Sequence, residues 1–154
     1  QFDPTGLDIE GLVRRHAPWE AWERTLAKRF EPYGLFEAVR AHAVKKYPDR
    51  ETLRARLALA VAEWDDLVAD FSKTLMAAEA LRALLRAAEA PYTYQCIGIS
   101  PPAAHRALLH AKDIRGRYTV LDLISELGLL SSWADEVLAP TRGIVYPMAE
   151  ENSL

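Results

Sequence analysis

A long stretch without glycine constrains the fold of this chain more than any other feature. Residues 35–97 contain no glycine and are rich in Ala, Leu, Arg and Glu, which are good helix formers. The alternation of apolar and polar residues that marks a half-buried strand is hard to find in the sequence. We therefore predict an all-α fold, an irregular orthogonal bundle of seven to eight helices. Helices this short and unequal do not suit a four-helix bundle or a regular solenoid.

Length and composition indicate one folded unit. At 154 residues, half of them hydrophobic, the chain has the size and apolar content of a single domain with a packed core. We expect residues 1–139 to form one helical domain. Residues 140–154, in which Pro, Gly and charge dominate, are expected to form a loosely ordered tail. The chain starts with Gln1 instead of Met, which suggests a processed chain or a piece of a longer one.

Charge and hydropathy argue against several kinds of partner. The formal net charge is −3, so electrostatics gives no reason to expect binding to nucleic acid. No apolar run approaches the roughly 20 residues that a membrane span needs, and the N-terminus lacks the basic and apolar regions of a signal peptide. The single cysteine, Cys96, permits no intrachain disulfide. We therefore expect a cytoplasmic protein that binds neither membranes nor nucleic acid.

Apolar spacing and capping residues predict where the helices lie. The predicted helices cover approximately residues 8–15, 18–31, 35–46, 50–71, 75–88, 101–111 and 120–127, and a last one starts at Ser131 or Ser132 and runs through Val137. In the second helix four apolar residues share one face, since they follow at intervals of three, four and four: Trp19, Trp22, Leu26 and Phe30. The fourth is expected to be the longest helix and the spine of the bundle. Gly128 should end a helix as a left-handed residue. The predicted N-caps are Asp8, Asp49, Thr74, Ser100 and Thr119.

Side chains that commonly carry chemistry form no recognisable constellation. His105 and His110 lie five positions apart, which turns one about 140° away from the other on a helix and disfavours a shared metal ion. His16 and His42 have no carboxylate motif between them, so we interpret all four histidines as surface or capping residues. Cys96 is interpreted as a buried structural thiol. With no glycine-rich phosphate loop, nucleophile elbow or zinc ribbon, no catalytic, cofactor-binding or metal-ligating residue is assigned.

One group of residues stands out from this background. Arg115, Arg117 and Tyr118 lie where one predicted helix ends and the next begins. Two guanidinium groups beside a helix N-terminus favour a bound anion, so these three residues are a candidate anion contact. The alternative is that the arginines pair with nearby carboxylates and lock the two helices together. Those carboxylates belong to Asp113, Asp122 and Glu126.

The residues around this group resemble a known family. Residues 112–130, KDIRGRYTVLDLISELGLL, resemble the closing motif of the helical C-terminal half of glycerol-1-phosphate dehydrogenases. These enzymes are relatives of 3-dehydroquinate synthase and the iron-containing alcohol dehydrogenases. Weaker landmarks precede the motif, and the resemblance covers roughly residues 7–138. They are LDIEGLV at 7–13, PWEAWE at 18–23, KYPD at 46–49, AAEAP at 87–91, IGIS at 97–100 and ALLHA at 107–111.

The resemblance implies a fold and a parent reaction. The implied fold is the dehydroquinate synthase-like C-terminal domain. In that family an N-terminal α/β half binds NAD(P), and a divalent metal, usually zinc, lies between the halves. The parent enzyme reduces dihydroxyacetone phosphate to glycerol-1-phosphate, with the metal polarising the carbonyl. The family's metal ligands, an aspartate and two histidines, match no residue here. NAD(P) and zinc are thus implied for the parent, and no cofactor is expected on this chain alone.

Three interpretations stay open at this point. The preferred one is a C-terminal helical subdomain of such a dehydrogenase, a fragment inactive alone, with an apolar face that the nucleotide-binding half or another protein covers. The second is a free-standing helical interaction or regulatory module derived from the family, with a polar surface or a specific binding groove. The third, a small independent enzyme, requires a catalytic constellation that the sequence does not offer. A homo-oligomer is a further way to cover an apolar face.

Overall fold

The computed structural model describes residues 2–139, and this part of the chain is built from helices without strands. Its nine α-helices are α1 (Ile9–Arg15), α2 (Trp19–Phe30), α3 (Phe36–Ala43), α4 (Arg50–Ala62), α5 (Trp64–Thr74), α6 (Ala78–Ala87), α7 (Pro101–His110), α8 (Val120–Glu126) and α9 (Leu130–Leu138). Only Glu63 separates α4 from α5, so the count is eight when this pair is taken as one bent helix. The predicted all-α bundle is confirmed, whereas the predicted tail, residues 140–154, lies outside the described residues.

Short 3₁₀ turns supplement the α-helices at four places. They are Pro4–Gly6, Glu31–Tyr33, Tyr94–Ile97 and Ala111–Ile114. The second of these follows α2 directly, because proline at position 32 disfavours continuation of the helix before it. The last, Ala111–Ile114, follows α7 and opens the motif that resembles the dehydrogenase family. It is called the 111–114 turn below.

Side-chain caps begin three helices where the sequence predicts them. The Gly11 N–H donates to Oδ1 of Asp8 at 2.8 Å, and the Thr52 N–H donates to Oδ1 of Asp49 at 2.7 Å. Thr119 begins α8 with a reciprocal capping box. Each cap satisfies a backbone N–H group that the start of a helix leaves unpaired. Local sequence therefore determines where α1, α4 and α8 begin.

Two other predicted helix boundaries are wrong. Thr74 does not begin a helix: it is the last residue of α5, and its hydroxyl donates to the carbonyl oxygen of Asp70 at 2.8 Å. The next helix, α6, begins at Ala78 without a side-chain cap. The third helix ends at Ala43 rather than at Lys46, because residues 44–46 form a turn that leads into α4.

The largest difference from prediction concerns the long fourth helix. It breaks at Glu63, whose φ of −103° and ψ of 13° leave the helical region. Beyond the break, Trp64 packs on the apolar core and meets the Phe2 ring edge-on, with the ring centroids 5.0 Å apart. Leu53 and Leu57 of α4 are buried, whereas α5 buries no residue. Only α4 therefore serves as the spine of the bundle.

Two small apolar cores hold the bundle together. Core 1 joins α1, α4 and the end of α8 through Val13, Leu53, Leu57 and Leu127. Core 2 joins α2 and α3, and partly buried aromatic rings of α2 pack against it, as the predicted apolar face requires. Its buried residues are Leu26, Val39 and Ala43, and the packed rings of α2 are Trp19, Trp22 and Phe30. Gly128 follows Leu127 of core 1 and ends α8 at a positive φ of 76°.

Helices α5 and α6 leave their apolar residues uncovered. Neither helix contains a buried residue. The uncovered side chains lie three positions apart within each helix, with Leu75 directly after α5, and each is at least 38% exposed: Val68, Phe71, Leu75, Leu81 and Leu84. We call these five residues the α5–α6 apolar face. Within residues 2–139 no helix has the length and apolarity that crossing a bilayer requires.

Two leucines of α4 test the assignment of core 1. Leu57 has no exposed surface, whereas Leu59 on the same helix is 63% exposed. Leu57→Ala should lower the free energy of unfolding by about 2–5 kcal/mol, because it removes buried methyl groups and leaves a cavity. Leu59→Ala, the matched control, should change it by less than about 0.5 kcal/mol. Urea unfolding followed by circular dichroism measures both, and equal effects would contradict this core.

Candidate functional site

The motif at residues 112–130 folds around buried carboxylates. Asp113 in the 111–114 turn and Asp122 in the first turn of α8 are only 1% and 6% exposed. A buried charge is costly unless it is paired and hydrogen-bonded. Each of these carboxylates should therefore have a cationic partner nearby, and the structure provides such partners from α2, from the turn after α3 and from the 111–114 turn itself.

Lys46 is the partner of Asp122. The two side chains are 9% and 8% exposed, and Nζ of Lys46 lies 2.6 Å from Oδ1 of Asp122. The other carboxylate oxygen, Oδ2, accepts hydrogen bonds from the backbone N–H and the hydroxyl of Thr119, both at 2.8 Å. Lys46 also donates to the carbonyl oxygen of Lys112. This one ammonium group thus ties the turn after α3 to the 111–114 turn and to the start of α8.

Asp113 is held by two cations. Oδ1 accepts a hydrogen bond from Nζ of Lys112 at 2.9 Å, and Oδ2 lies 3.5 Å from a guanidinium nitrogen of Arg29. Both cations also contact the Trp22 ring, with Lys112 Nζ 4.6 Å and the Arg29 guanidinium carbon 5.4 Å from its centroid. Cations favour the face of an indole ring, so these contacts join the 111–114 turn to α2.

Glu126 at the end of α8 is the third acid of this motif, and it too has a cationic partner. Arg56 of α4 lies 2.9 Å from its Oε1, and the Tyr118 hydroxyl donates to Oε2 at 2.7 Å. The Arg56 guanidinium also stacks over the Tyr118 ring, 5.0 Å from the centroid. Burial and the acceptor Glu126 raise the pKa of Tyr118 well above its ordinary value. The phenol therefore stays protonated and keeps donating to the carboxylate. We call the three acids and their cationic partners the ionic cluster.

The candidate anion contact is not assembled as one group. Arg115 and Arg117 are exposed, and neither forms an ion pair within the described part of the chain. The alternative, in which they pair with Asp113, Asp122 or Glu126, is wrong, because these acids already pair with other cations. Sequence reasoning missed the distant ones among these cations, which lie up to 84 residues away, as Arg29 does from Asp113. An anion contact at Arg115, Arg117 and Tyr118 stays a prediction.

A cavity of about 330 Å³ adjoins the ionic cluster. It is bounded by residues from both cores and by the turn between α3 and α4. Tyr47 on that turn donates its hydroxyl hydrogen to the Ala17 carbonyl, and its ring stacks on His16 with centroids 4.9 Å apart. Charged and aromatic groups line this space together. The charged and aromatic lining residues include Trp22, Lys46, Tyr47, Lys112, Asp113 and Asp122.

The histidines are dispersed over the described structure. Nε2 of His16 lies 2.8 Å from the carbonyl oxygen of Pro48, His42 is exposed, and Nε2 of His105 lies 3.7 Å from Oδ1 of Asp135. Residues 2–139 contain no group of three or more His, Cys, Asp or Glu side chains placed to hold a metal ion. These residues therefore do not fit the zinc site that the resemblance implies for the parent enzyme, and no step of its reaction is assigned to them.

Cys96 is less buried than predicted. It lies in the 3₁₀ turn Tyr94–Ile97 and is half-buried, with Sγ 3.4 Å from the hydroxyl oxygen of Thr93. A nucleophilic thiolate needs a base or a cationic neighbour, and neither lies in this contact. The structural role predicted for the thiol stays a prediction.

Comparison of the chain with protein-family models, with curated proteins and with solved structures gives no match. The likeness to glycerol-1-phosphate dehydrogenases thus rests on the quoted motifs alone, and any function built on it is a proposal.

Breaking the pair between Lys46 and Asp122 tests the cluster. Lys46→Met should cost about 3–5 kcal/mol of unfolding free energy, because it leaves a buried carboxylate without its counter-charge. Lys46→Met combined with Asp122→Asn should recover part of that loss. Arg115→Met removes the same charge from an exposed, unpaired position and should change stability by less than about 0.5 kcal/mol. Urea unfolding measures all three, and no recovery in the double variant would contradict the pairing.

His110 gives the structure a pH dependence. Burial lowers the pKa of His110 from its ordinary 6.5, and the nearby Arg29 guanidinium adds to the shift. The unfolded chain then binds more protons than the folded one below pH 6.5, so stability should fall as the pH drops from about 7 to about 5. His110→Gln should flatten part of this slope, and His42→Gln, at an exposed position, should keep it. Urea unfolding across this range checks the sign, and equal slopes in all three proteins would refute it.

Proposed function

We propose that this chain is the helical C-terminal portion of a glycerol-1-phosphate dehydrogenase-like oxidoreductase and is inactive by itself. The observation that carries the proposal is the α5–α6 apolar face. Helices of 11 and 10 residues are marginal in isolation, and in proteins they depend on packing of their apolar side. A large exposed apolar patch rimmed by polar residues marks an interaction surface. The N-terminal nucleotide-binding half of the parent is the cover that we propose for it.

The contacts of residues 112–130 support the same proposal. Asp113, Asp122 and Glu126 each join an element of the C-terminal part to a helix or turn within the first 62 residues. The residues that carry the family resemblance therefore stabilise the fold. A stabilising role of this kind fits a helical half whose reaction takes place in a cleft between it and the nucleotide-binding half.

The roles of the parent's cofactors follow from this division. NAD(P) would bind to the nucleotide-binding half, and the divalent metal, zinc in most of the family, would polarise the substrate carbonyl when bound. The described residues of this chain supply no ligand set for that metal. Their proposed part is to complete the fold and to cover one side of the cleft. We propose that the parent enzyme acts in the cytoplasm.

A second candidate function has one observation in its favour. An apolar groove of about 380 Å³ runs between the α4–α5 region and α8. It is lined by Leu59, Leu67, Tyr118 and Leu123, with Arg56 and Glu63 also at its walls. Such a groove fits the apolar side of a partner helix. A free-standing helical interaction or regulatory module derived from the same family would use it.

The proposed function is tested on the protein that the source organism makes. The native species containing this sequence should be larger than 17.3 kDa, the mass of this chain. After purification it should oxidise NADH or NADPH when dihydroxyacetone phosphate is added. The 154-residue chain alone should not. A native species of 17.3 kDa without this activity would contradict the proposal and favour the interaction module.

A matched pair of variants tests the role of the apolar face. Leu84→Asp, made in the full native protein, should reduce the activity at least about ten-fold, since a charged side chain in an apolar contact is costly. Val44→Asp places the same charge at another exposed apolar position, 48% exposed against 55% for Leu84, and should leave the activity unchanged. Neither variant should unfold the isolated chain. Full activity of Leu84→Asp would show that this face is not the docking surface.

A further inference from the structure

We propose that residues 144–148, the apolar run IVYPM, fold back onto α5 and cover Val68, Phe71 and Leu75 of the α5–α6 apolar face. The run lies outside the described residues, in the segment that follows α9, and the contact anchors the middle of a segment whose composition otherwise predicts loose order. The inference concerns the chain itself and goes beyond the proposed function. In the parent, the nucleotide-binding half would have to displace this run before it covers the same side of α5.

The first argument is the direction in which α5 presents its apolar side chains. Four apolar residues on and directly after this helix follow at intervals of four, three and four, and therefore share one face: Trp64, Val68, Phe71 and Leu75. Trp64 meets the Phe2 ring edge-on at 5.0 Å between centroids, and Phe2 meets the ring of Trp133 in α9 at 6.0 Å. Phe2 thus bridges the two helices, so α9 stands on the side of α5 that carries the uncovered residues. Residues 140–154 leave α9 within two turns of Trp133.

The second argument is the reach of the segment. Ile144 follows Ala139 by five positions, so an extended chain can place it up to about 17 Å from Ala139. Helix α5 has 11 residues and is therefore about 16 Å long. The run 144–148 spans about 13 Å when extended, and Val68 and Leu75 are about 10 Å apart along the helix axis. The run is thus long enough to lie over all the uncovered residues of α5.

The third argument is complementary charge. Three exposed acids at the start of α5 form no ion pair within the described part of the chain: Glu63, Asp65 and Asp66. The segment approaches this end first, and its single cation, Arg142, precedes the run. Its acids, Glu150 and Glu151, follow the run, and the cation in the last turn of α5 is Lys73. Exposed ion pairs add little affinity, but they favour a run laid along α5 in this direction over the reverse one.

Covalent attachment favours this occupant over a second copy of the chain. Removal of apolar surface from water drives either contact. A short flexible linker gives the attached run an effective concentration in the mM range, about a thousand-fold above that of a second copy at μM concentration. A contact with a Kd of about 1 mM is therefore well populated within one molecule and negligible between two.

A spin label on α5 tests the contact in the full chain. Ser72 is exposed and follows Phe71, and Ser72→Cys in a Cys96→Ser background gives the label one point of attachment. In the ¹⁵N-labelled protein, two-dimensional NMR should show strong paramagnetic broadening of the backbone amides of residues 144–148. The same label at Ala38→Cys, an exposed position of α3, should leave these amides sharp. A mixture of spin-labelled chain without ¹⁵N and ¹⁵N-labelled chain without a spin label should show no broadening.

A matched pair of variants shows whether the apolar run makes the contact. Val145→Asp should lower the ratio of docked to free run at least about ten-fold, because a charge within an apolar contact is costly. Ala149→Asp adds the same charge directly after the run and should change this ratio by less than about two-fold. The methyl signals of Val68 and Leu75 should shift in Val145→Asp and stay in place in Ala149→Asp. Both substitutions lie outside the described bundle, so the circular dichroism spectrum should not change.

Three results would overturn the proposal. The first is a lack of broadening at residues 144–148 with the label at position 72. The second is broadening that persists unchanged in Val145→Asp. The third is broadening in the mixed sample, which would show that a second copy covers α5. All three are measured on the isolated chain without substrate, so they are distinguishable from a failure of the proposed dehydrogenase function.

Discussion

The ion pair between Lys46 and Asp122 is the contact on which the rest of this bundle depends. Lys46 lies on the turn between α3 and α4, and Asp122 caps the start of α8. The same ammonium group also binds the Lys112 carbonyl. Removing two charges from water costs several kcal/mol per ion, and attraction offsets this only when the remaining donors and acceptors are satisfied. Thr119 satisfies the second oxygen of Asp122, so the pair specifies how the two ends of the domain meet.

Ionic contacts determine how these parts of the bundle meet because the apolar cores are small. Core 1 and core 2 occupy different sets of helices, and the space between them is partly filled by charged side chains around a cavity. Apolar residues of similar volume in place of a buried ion pair often give equal or higher stability. The charged filling also leaves one buried acceptor, Oδ2 of Asp113, without a hydrogen bond.

Sequence reasoning succeeded where a local interaction decides the outcome. The caps at Asp8 and Asp49, the left-handed Gly128 and the apolar face of α2 all depend on neighbours within four residues. It failed at Glu63, where no breaker residue marks the bend, and at the partners of Asp122 and Glu126. Those partners come from α4 and the turn before it, 70 or more residues away. Adjacent arginines were the natural candidates, but the fold turns Arg115 and Arg117 towards solvent.

The cavity beside the ionic cluster and the α5–α6 apolar face lie on different parts of the bundle. The cavity is lined by residues of α1, α2, α3, α4 and α8 and of the turns after α3 and α7, whereas the apolar face belongs to α5 and α6. Helix α4 connects them: Arg56 reaches Glu126 in the ionic cluster, and the helix leads through Glu63 into α5. Since α5 and α6 bury no residue, covering them stabilises a region that adds little to either core.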